Sequence, residues 1–299
     1  MLVFILRRLI QSAVVLAVMS LLVFAGVYTV GNPIDILISP EATQAERIEA
    51  TARLGLDQPL WMQYFVFVKQ AAAGNLGKSF AFNVPAIDLI FERMPATLEL
   101  AVFAMLLAVA IGLPLGLYAG LKPKSFAGRG IMAGSILGFS LPTFWVGLML
   151  IMVFAVWLGW LPSNGRGPTT LLLGVPVSFL SLEGLKHLLL PGITLSLLNI
   201  ALIIRLARSG TQEALMMDYV KFARAKGLSN ARIVGVHVLK NILIPIVTVI
   251  ALQFGAVIAF AIVTETIFAW PGMGKLVIDS IFQLDRPVVV GALRMHVAI

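Results

Sequence analysis

The chain has 299 residues, of which 60% are hydrophobic and 12% are charged, and its mean hydropathy is +0.99. A soluble domain carries about 25% charged residues, so this composition excludes a soluble protein and indicates a membrane protein. The chain contains no Cys, which excludes disulfides and thiolate chemistry.

Long runs of uncharged, mostly apolar residues predict the membrane-spanning helices. A bilayer core about 30 Å thick needs roughly 20 such residues per helix. Five runs qualify or come close: residues 9–30, 100–121, 131–157, 188–204 and 242–264. The first run exceeds a signal-peptide core of about 7 to 15 residues, so we interpret it as an anchor helix. The last 12 residues, 288–299, are too short to cross. We therefore predict an all-α polytopic protein with five full spans and an incomplete sixth.

The net charge of +8 is distributed unevenly between the two sides of the membrane. With a cytoplasmic N-terminus, the inside segments hold 12 basic and 2 acidic residues, whereas the remainder holds 10 basic and 12 acidic residues. Lys and Arg are retained on the cytoplasmic side during insertion. We therefore expect the N-terminus inside. The basicity reports topology, and we expect no nucleic-acid partner.

Residues 31–96 form a predicted external segment that is too long for an ordinary connection. We expect three short helices in it, the last of which ends at Pro95 and leads into the second span. The middle one, "QPLWMQYFVFVKQ", is too short to span and is expected in the outer interface or over the bundle. Its apolar face contains Leu60, Trp61, Tyr64, Phe65 and Val68.

Small residues and proline modify the second and third runs. The second run has a glycine at every fourth position: Gly112, Gly116 and Gly120. This pattern lets another helix approach closely, and tight packing is its expected role. In the third run, "SLPTFW" places Pro142 near mid-membrane, where it interrupts the helix. Broken helices often line pathways, yet many are only bent. Ser140, Pro142 and Thr143 are pathway candidates, and simple bending is the alternative.

A basic amphipathic stretch lies between the fourth and fifth runs. Helix formers run from Thr211 to Lys226, and within "DYVKFARAKGLS" Gly227 can end the helix in the left-handed conformation and Ser229 can cap the next helix. Three residues share one side by their spacing: Tyr219, Phe222 and Ala223. Composition alone favours a helix that rests on anionic lipid for this amphipathic stretch.

The carboxylates of the last part of the chain are expected on the external side of the membrane, in a short helix folded back on the outer face: Glu265, Asp279 and Asp285.

No motif provides energy or catalysis. "GNLGKS" at residues 74–79 is not a phosphate loop, because Ala72 stands where its first glycine belongs. The three His residues are dispersed, so a serine base or a metal centre is not expected. No ionisable residue lies in the five runs, which disfavours ion coupling. We therefore predict no enzyme activity and no catalytic, cofactor or metal site, and we expect a partner to supply the energy.

Several motifs occur in a specific order along almost the whole chain. They include "ILRRLIQ", "LGLDQPL", "GNLGKSF", "RMPATLELA", "SLPTFWVGL", "LGWLPSNGRG", "DYVKFARAKGLS" and "ETIFAWPGMGKL". In these motifs the chain resembles the permease subunit of bacterial ATP-binding-cassette importers for dipeptides and oligopeptides, a family that also includes nickel importers. The resemblance implies a multi-pass protein of the bacterial inner membrane that translocates short peptides. The alternative is a stand-alone channel or carrier.

The resemblance also implies partners and a division of the chain. The expected partners are a second homologous permease, two ATP-binding subunits, a periplasmic peptide-binding protein, membrane lipid and the peptide substrate. Residues 1–30 would be the anchor helix, 31–96 the periplasmic segment and 97–299 the permease domain, with a coupling helix near 212–228. Family members complete the sixth span, whereas this chain stops partway through it.

In this family the cytoplasmic helix-turn-helix docks into a groove on the ATPase subunit. The resemblance therefore implies that the docking residues are Tyr219, Phe222, Ala223, Arg224, Ala225, Lys226 and Gly227. Movement of this helix would pass through Pro245, a hinge candidate, into the fifth span.

Overall fold

The computed structural model describes residues 2–30, 34, 43–53, 55–72, 76–285 and 287–292. Its named helices are α1 (Leu2–Val30), α2 (Gln44–Arg53), α3 (Leu60–Ala72), α4 (Ala86–Leu121), α5 (Phe126–Ser140), α6 (Thr143–Trp157), α7 (Leu182–Met216), α8 (Asp218–Ala225), α9 (Asn230–Ile267) and α10 (Met273–Phe282). The segments Ile151–Trp157 of α6 and Ile233–Val238 of α9 are π-helical. Strands β1 (Thr170–Leu172) and β2 (Val175–Val177) form an antiparallel hairpin.

Each of the five predicted apolar runs lies within a helix or helix pair. By length and composition, α1, α4, α7 and α9 can each cross a membrane. The pair α5 and α6 is bent by 104° at its break and makes a fifth candidate if it counts as one span. The break lies where Pro142 predicts it, with Pro142 in extended conformation before the first residue of α6. Residues 293–299, most of the predicted incomplete sixth span, lie outside the described residues.

One predicted helix boundary is wrong, and one helix extends well beyond the apolar run that predicts it. The short helix that was expected to stop at Pro95 is the first part of α4, which continues through Pro95 without a break. Proline removes one backbone hydrogen bond, and the buried apolar side of the next turns compensates for that loss, since Leu100 and Ala104 are almost fully buried. The fourth helix is also much longer than its apolar run. It begins at the Ser181 cap, whose Oγ accepts a hydrogen bond from the Gly184 N–H at 3.0 Å.

The described chain divides into two compact units, Met1–Pro95 with Pro271–Ile299, and Ala96–Trp270. The first unit has a small core of apolar side chains: Leu76, Ala86, Leu89, Ile90, Met273, Leu276, Val277, Val288 and Ala292. The side chain of Asp285, a residue predicted on the external side of the membrane, is fully buried in this unit. Its carboxylate accepts hydrogen bonds from the Ser79 hydroxyl and from the N–H groups of Phe80 (3.1 Å) and Ala81 (3.3 Å). Burial is possible because these donors replace water.

The first two short helices of the first unit, α2 and α3, form as the sequence predicts. Thr43 and Glu46 make a capping box at the start of α2. The hydrogen bonds that Glu46 accepts from the Thr43 backbone N–H and hydroxyl lower the pKa of Glu46, so the contribution of this cap to helix stability is lost as pH falls through that lowered value. In α3, Trp61 and Phe65 are exposed, while the Tyr64 hydroxyl lies 2.7 Å from the Ser20 hydroxyl of α1.

The second unit is organised by close contact between α4 and α7. The three glycines of α4 leave no room for a side chain. A Cβ atom at Gly112 would lie 2.9 Å from Ile203 Cβ, one at Gly116 would lie 2.6 Å from Ala207 Cβ, and one at Gly120 would lie 2.6 Å from Thr211 Cβ. The expected tight packing is thus confirmed. Residue numbers rise together on both helices, so α4 and α7 run parallel.

Two apolar clusters lie at opposite ends of this pair. The cluster at the start of α4 contains Ala96, Leu100, Ala101, Ala104, Met105, Leu188, Leu195, Val257, Ile258, Ala261 and Trp270. The cluster at the far end of α7 contains Ala207, Ala214, Val220, Ala223, Ile233, Val238, Ile242 and Ile246. Because α9 enters the second cluster first and the first cluster last, it runs antiparallel to α7. The broken pair α5 and α6 returns the chain from the end of α4 to the beginning of α7.

Candidate functional site

Helix α8 is held against the ends of α7 and α9 by two buried side chains. Val220 is fully buried and Ala223 is 4% exposed, both in the cluster that includes Ala214 of α7 and Ile242 of α9. On the exposed part of α8, the Asp218 carboxylate is paired with the Lys221 ammonium at 2.9 Å. A force applied to α8 is therefore transmitted by packed side chains to both long helices.

The turn after α8 has the predicted conformation. Gly227 has φ +77°, a left-handed value that a residue with a side chain adopts only with strain. Its N–H donates to the Arg224 carbonyl at 2.9 Å, which closes the end of α8. The Ser229 hydroxyl accepts from the Arg232 N–H at 3.4 Å and begins α9. The expected tight turn and second helix are confirmed. The first helix begins at Asp218 and not at Thr211, because Met217 is extended and residues 211–216 belong to α7.

The single apolar side expected for Tyr219, Phe222 and Ala223 divides in the structure. Phe222 is 64% exposed and Tyr219 39% exposed, whereas Ala223 faces the core. Successive side chains are rotated by about 100° around the helix axis. The side of α8 that packs against the bundle is centred on Val220 and Ala223, so Tyr219 and Phe222 lie away from it. The remaining residues form an exposed aromatic and basic surface, called here the α8 surface: Tyr219, Phe222, Arg224, Ala225 and Lys226. The Lys226 ammonium lies 4.7 Å from the centre of the Phe222 ring.

The pathway candidates are placed in two separate helical regions. Ser140, Pro142 and Thr143 lie together at the break between α5 and α6, where Ser140 and Pro142 are exposed and Thr143 is half-buried. Next to the break, the Arg205 guanidinium of α7 lies 4.7 Å from the Phe139 ring centre. Pro245 is on an exposed side of α9. The pathway and hinge roles of these residues stay predictions.

A buried ion pair at the start of α4 is the principal feature that the sequence analysis missed. The Glu99 side chain is 4% exposed and that of Arg166 is 9% exposed. Arg166 donates to Glu99 Oε2 from Nε at 2.9 Å and from Nη2 at 2.5 Å. Oε1 accepts from the N–H of Ser178 (2.6 Å), the hydroxyl of Ser178 (2.9 Å) and the N–H of Phe179 (3.0 Å). These five donors satisfy the buried carboxylate.

Further polar contacts surround this ion pair, called here the Glu99 site. The Arg166 guanidinium lies 5.8 Å from the Trp270 ring centre and also donates to the Pro176 carbonyl at 2.6 Å. The Trp270 indole N–H donates to the Ala96 carbonyl at 2.9 Å. Glu265, a residue of α9 that was expected on the external side of the membrane, is fully buried. Its carboxylate accepts a hydrogen bond from the Thr97 hydroxyl at 2.6 Å. It is buried because a hydrogen-bond donor and neighbouring side chains enclose it at the helix end.

Loss of Glu99 is expected to destabilise the protein strongly. Glu99→Ala would leave the Arg166 charge buried without its carboxylate, which costs about 3–5 kcal/mol in such pairs. Thermal unfolding of the purified protein in detergent measures this as a lowered Tm. The matched control is Glu183→Ala, whose carboxylate is largely exposed and lies 3.3 Å from Lys186; surface pairs contribute about 0–1 kcal/mol. Equal Tm values for the two variants would contradict the structural role of Glu99.

Sequence reasoning missed the Glu99 site because its residues lie at the edges of the apolar runs. Glu99 immediately precedes the run 100–121, and Arg166 is in a loop 67 residues away. A carboxylate directly before an apolar run is consistent with either a solvated helix end or a buried site. The two charges lie in the motifs "RMPATLELA" and "LGWLPSNGRG", to which the resemblance assigns no specific role.

The second unit is a bundle of apolar helices with an amphipathic helix-turn-helix at one end, the arrangement of a membrane-embedded transporter subunit. A family described as binding-protein-dependent transport system inner membrane component matches residues 112–299, and its N-terminal counterpart matches residues 1–101. The chain therefore belongs to this family, and it is a multi-pass component of the inner membrane.

Named relatives cover nearly the whole chain. The di/tripeptide transport system permease protein DppB of Pseudomonas aeruginosa is 43% identical over 97% of this chain and 90% of its own length. The dipeptide transport system permease protein DppB of Escherichia coli K12 is 38% identical over 97% and 91%. The oligopeptide transport system permease protein AppB of Bacillus subtilis is 34% identical over 96% and 90%.

The fold is similar to that of a solved transporter. A chain of the MetNI methionine ABC transporter in an inward-facing conformation aligns with a TM-score of 0.55 and 16% sequence identity. The alignment covers 71% of this chain and 89% of that chain. At this identity the likeness supports the helical permease fold alone.

Proposed function

We propose that this chain is the transmembrane permease subunit of an ATP-driven importer of short peptides, energised by separate ATPase subunits. The observation that carries the proposal is the match of 34–43% identity, over nearly the full chain, to relatives named as dipeptide and oligopeptide permeases. Their substrate class and the family description together imply an external peptide-binding protein as a partner. A second homologous permease and two ATPases complete the proposed assembly, and this chain itself catalyses no reaction.

The proposed topology has five full spans and a cytoplasmic N-terminus. The parallel packing of α4 and α7 supports it, since the chain must return across the bundle between these helices and only α5 with α6 is available for that return. The broken pair then counts as one crossing. Residues 1–30 are the anchor, 31–96 the periplasmic segment and 97–299 the permease domain. The positive-inside distribution of Lys and Arg supports the orientation.

The α8 surface is the proposed docking site for an ATPase subunit. Its exposed Phe222 and Tyr219 offer apolar area, and the neighbouring Arg224 and Lys226 offer positive charge, a combination typical of interface hot spots. Ala223 contributes from the inner side by fixing α8 to the bundle, and Gly227 sets the turn. Closure of the ATPases would move α8, and the cluster shared with α9 would pass the displacement towards Pro245 and the pathway.

Reconstitution separates this proposal from the stand-alone alternative. We expect proteoliposomes with the two permeases, the ATPases and the binding protein to take up a labelled dipeptide only when ATP is present. Uptake by the permease chain alone, without nucleotide, would establish the channel or carrier instead.

A crosslink tests the docking site directly. The chain has no Cys, so Arg224→Cys provides a unique attachment point for a short crosslinker. We expect it to capture the ATPase subunit in the assembled transporter. The control Leu252→Cys, an exposed position in α9, is expected to capture none. Capture from Leu252→Cys but not from Arg224→Cys would place the docking site elsewhere.

A further inference from the structure

The tip of the β1–β2 hairpin has an unusual combination of backbone and side chain. Leu172 pairs with Val175, so Leu173 and Gly174 form a two-residue turn. Both have positive φ, +52° and +83°, as in a type I′ turn, which favours Asn, Asp or Gly at both positions. A leucine there is strained by its side chain. Leu173 is nevertheless 98% exposed, so no packing contact within the described structure explains its presence.

The surroundings of Leu173 make an apolar projection. Leu171 and Val175 are also exposed, and residues 167–182 contain no charged side chain. In water, a turn of this kind is normally polar. The hairpin tip, defined as residues 171–175, therefore presents a compact apolar surface with a residue type that its own backbone disfavours.

The base of the hairpin is fixed by the Glu99 site. Glu99 accepts hydrogen bonds from Ser178, directly after β2, and Arg166 donates to the Pro176 carbonyl inside β2. Both charged side chains are at least nine-tenths buried. The hairpin thus projects from a rigid attachment, and its tip is held in one direction relative to α4.

The chain on both sides of the hairpin indicates what covers the tip. The hairpin connects the end of α6 with the start of α7, two segments that belong to the membrane-crossing part of the chain. Trp157 and Trp160 are exposed just before it and Leu182 just after it. Tryptophan is enriched at the membrane–water interface, where its ring lies among headgroups. Exposed apolar side chains therefore flank the tip on both sides along the chain, and the uncharged stretch 167–182 suits contact with lipid.

We propose that the hairpin tip inserts into the lipid interface of the leaflet opposite α8, with Leu171 and Leu173 as apolar anchors and the Glu99–Arg166 pair as the positioning residues. The occupant of this surface is phospholipid at the boundary between headgroups and acyl chains. Insertion removes the exposed leucines from water, which offsets the strained turn. The anchor holds the loop between α6 and α7 at a defined depth in the membrane.

Site-specific fluorescence quenching tests the insertion. Leu173→Cys in the full chain, labelled with bimane and reconstituted into phosphatidylcholine–phosphatidylglycerol liposomes, introduces one probe because the chain has no Cys. We expect quenching by lipids with a nitroxide near the headgroup and protection from aqueous iodide. The control Asn164→Cys, exposed in the same loop outside the hairpin, is expected to show the opposite pattern. The assay needs neither ATP nor a partner subunit, so it is independent of the proposed transport function.

A second variant separates lipid insertion from hairpin folding. Leu173→Asn suits the positive φ of the turn better and makes the tip polar. With the bimane at Leu171→Cys, we expect Leu173→Asn to reduce lipid quenching while Tm stays unchanged or rises. Iodide quenching at residue 173, or protection of residue 173 from both quenchers, would overturn the proposal. The second result would show that protein covers the tip.

Discussion

Gly116→Leu is expected to prevent assembly of the second unit, and Gly116→Ala to lower its Tm substantially. Even a Cβ atom at Gly116 would lie 2.6 Å from Ala207 Cβ and 2.7 Å from the Ile204 carbonyl oxygen. The second contact is with backbone, so α4 and α7 must separate. Overpacking by single methylenes costs about 1–3 kcal/mol, and a leucine adds several more atoms at the same place.

Thermal unfolding and the yield of monodisperse protein after detergent extraction measure this effect. The matched controls are Gly134→Ala and Gly134→Leu in α5, because an added Cβ at Gly134 meets nothing within 4 Å among the described residues. Ala is a better helix former than Gly by about 1 kcal/mol, so Gly134→Ala is expected to leave Tm unchanged or raise it. Similar losses for both glycines would indicate that α4 and α7 are not in close contact.

The second large effect is expected from Phe222→Ala, which should weaken binding of the ATPase subunit and lower ATP-driven uptake without unfolding the permease. Phe222 is 64% exposed, so its removal costs little folding energy. In the proposed complex it is the central aromatic residue of the α8 surface. Truncation of such a hot spot costs about 2 kcal/mol or more, which corresponds to roughly 30-fold weaker binding of the ATPase subunit.

ATP-driven peptide uptake at limiting ATPase concentration and a direct binding titration measure the loss. Leu252→Ala is the control, since Leu252 is 76% exposed in α9 and lies outside the α8 surface. We expect it to retain uptake and binding. Normal ATPase affinity of the Phe222→Ala permease, together with an unchanged Tm, would show that the ATPase subunit docks at a surface other than the α8 surface.

Several features of the chain could be predicted from local sequence because they depend on local physics. Each apolar run identifies a helix, since a buried backbone in lipid must satisfy its own hydrogen bonds. Pro142 marks the break in the third run because it removes a backbone donor. Gly227 and Ser229 mark the turn after α8 through backbone conformation and capping. The glycines of α4 indicate a close helix contact, though not which helix makes it.

Other features depend on contacts between distant residues. Whether Glu99 and Glu265 are solvated or buried depends on Arg166, Ser178 and Thr97, which lie up to 168 residues away in the chain. A carboxylate at the end of an apolar run has the same local sequence in either case. The free energy of burial depends on whether donors replace water, and those donors are supplied by other elements.

The sequence by itself determined that this protein is a multi-span membrane permease of a recognisable family, since apolar length, charge asymmetry and ordered motifs are properties of the linear chain. Only the tertiary structure decided that α7 is the helix in close contact with α4, that Ala223 faces inward while Phe222 faces outward, and that a buried ion pair holds the apolar hairpin. The physical reason is that helix periodicity defines which residues share a face, whereas packing against neighbouring elements determines which of those faces is buried.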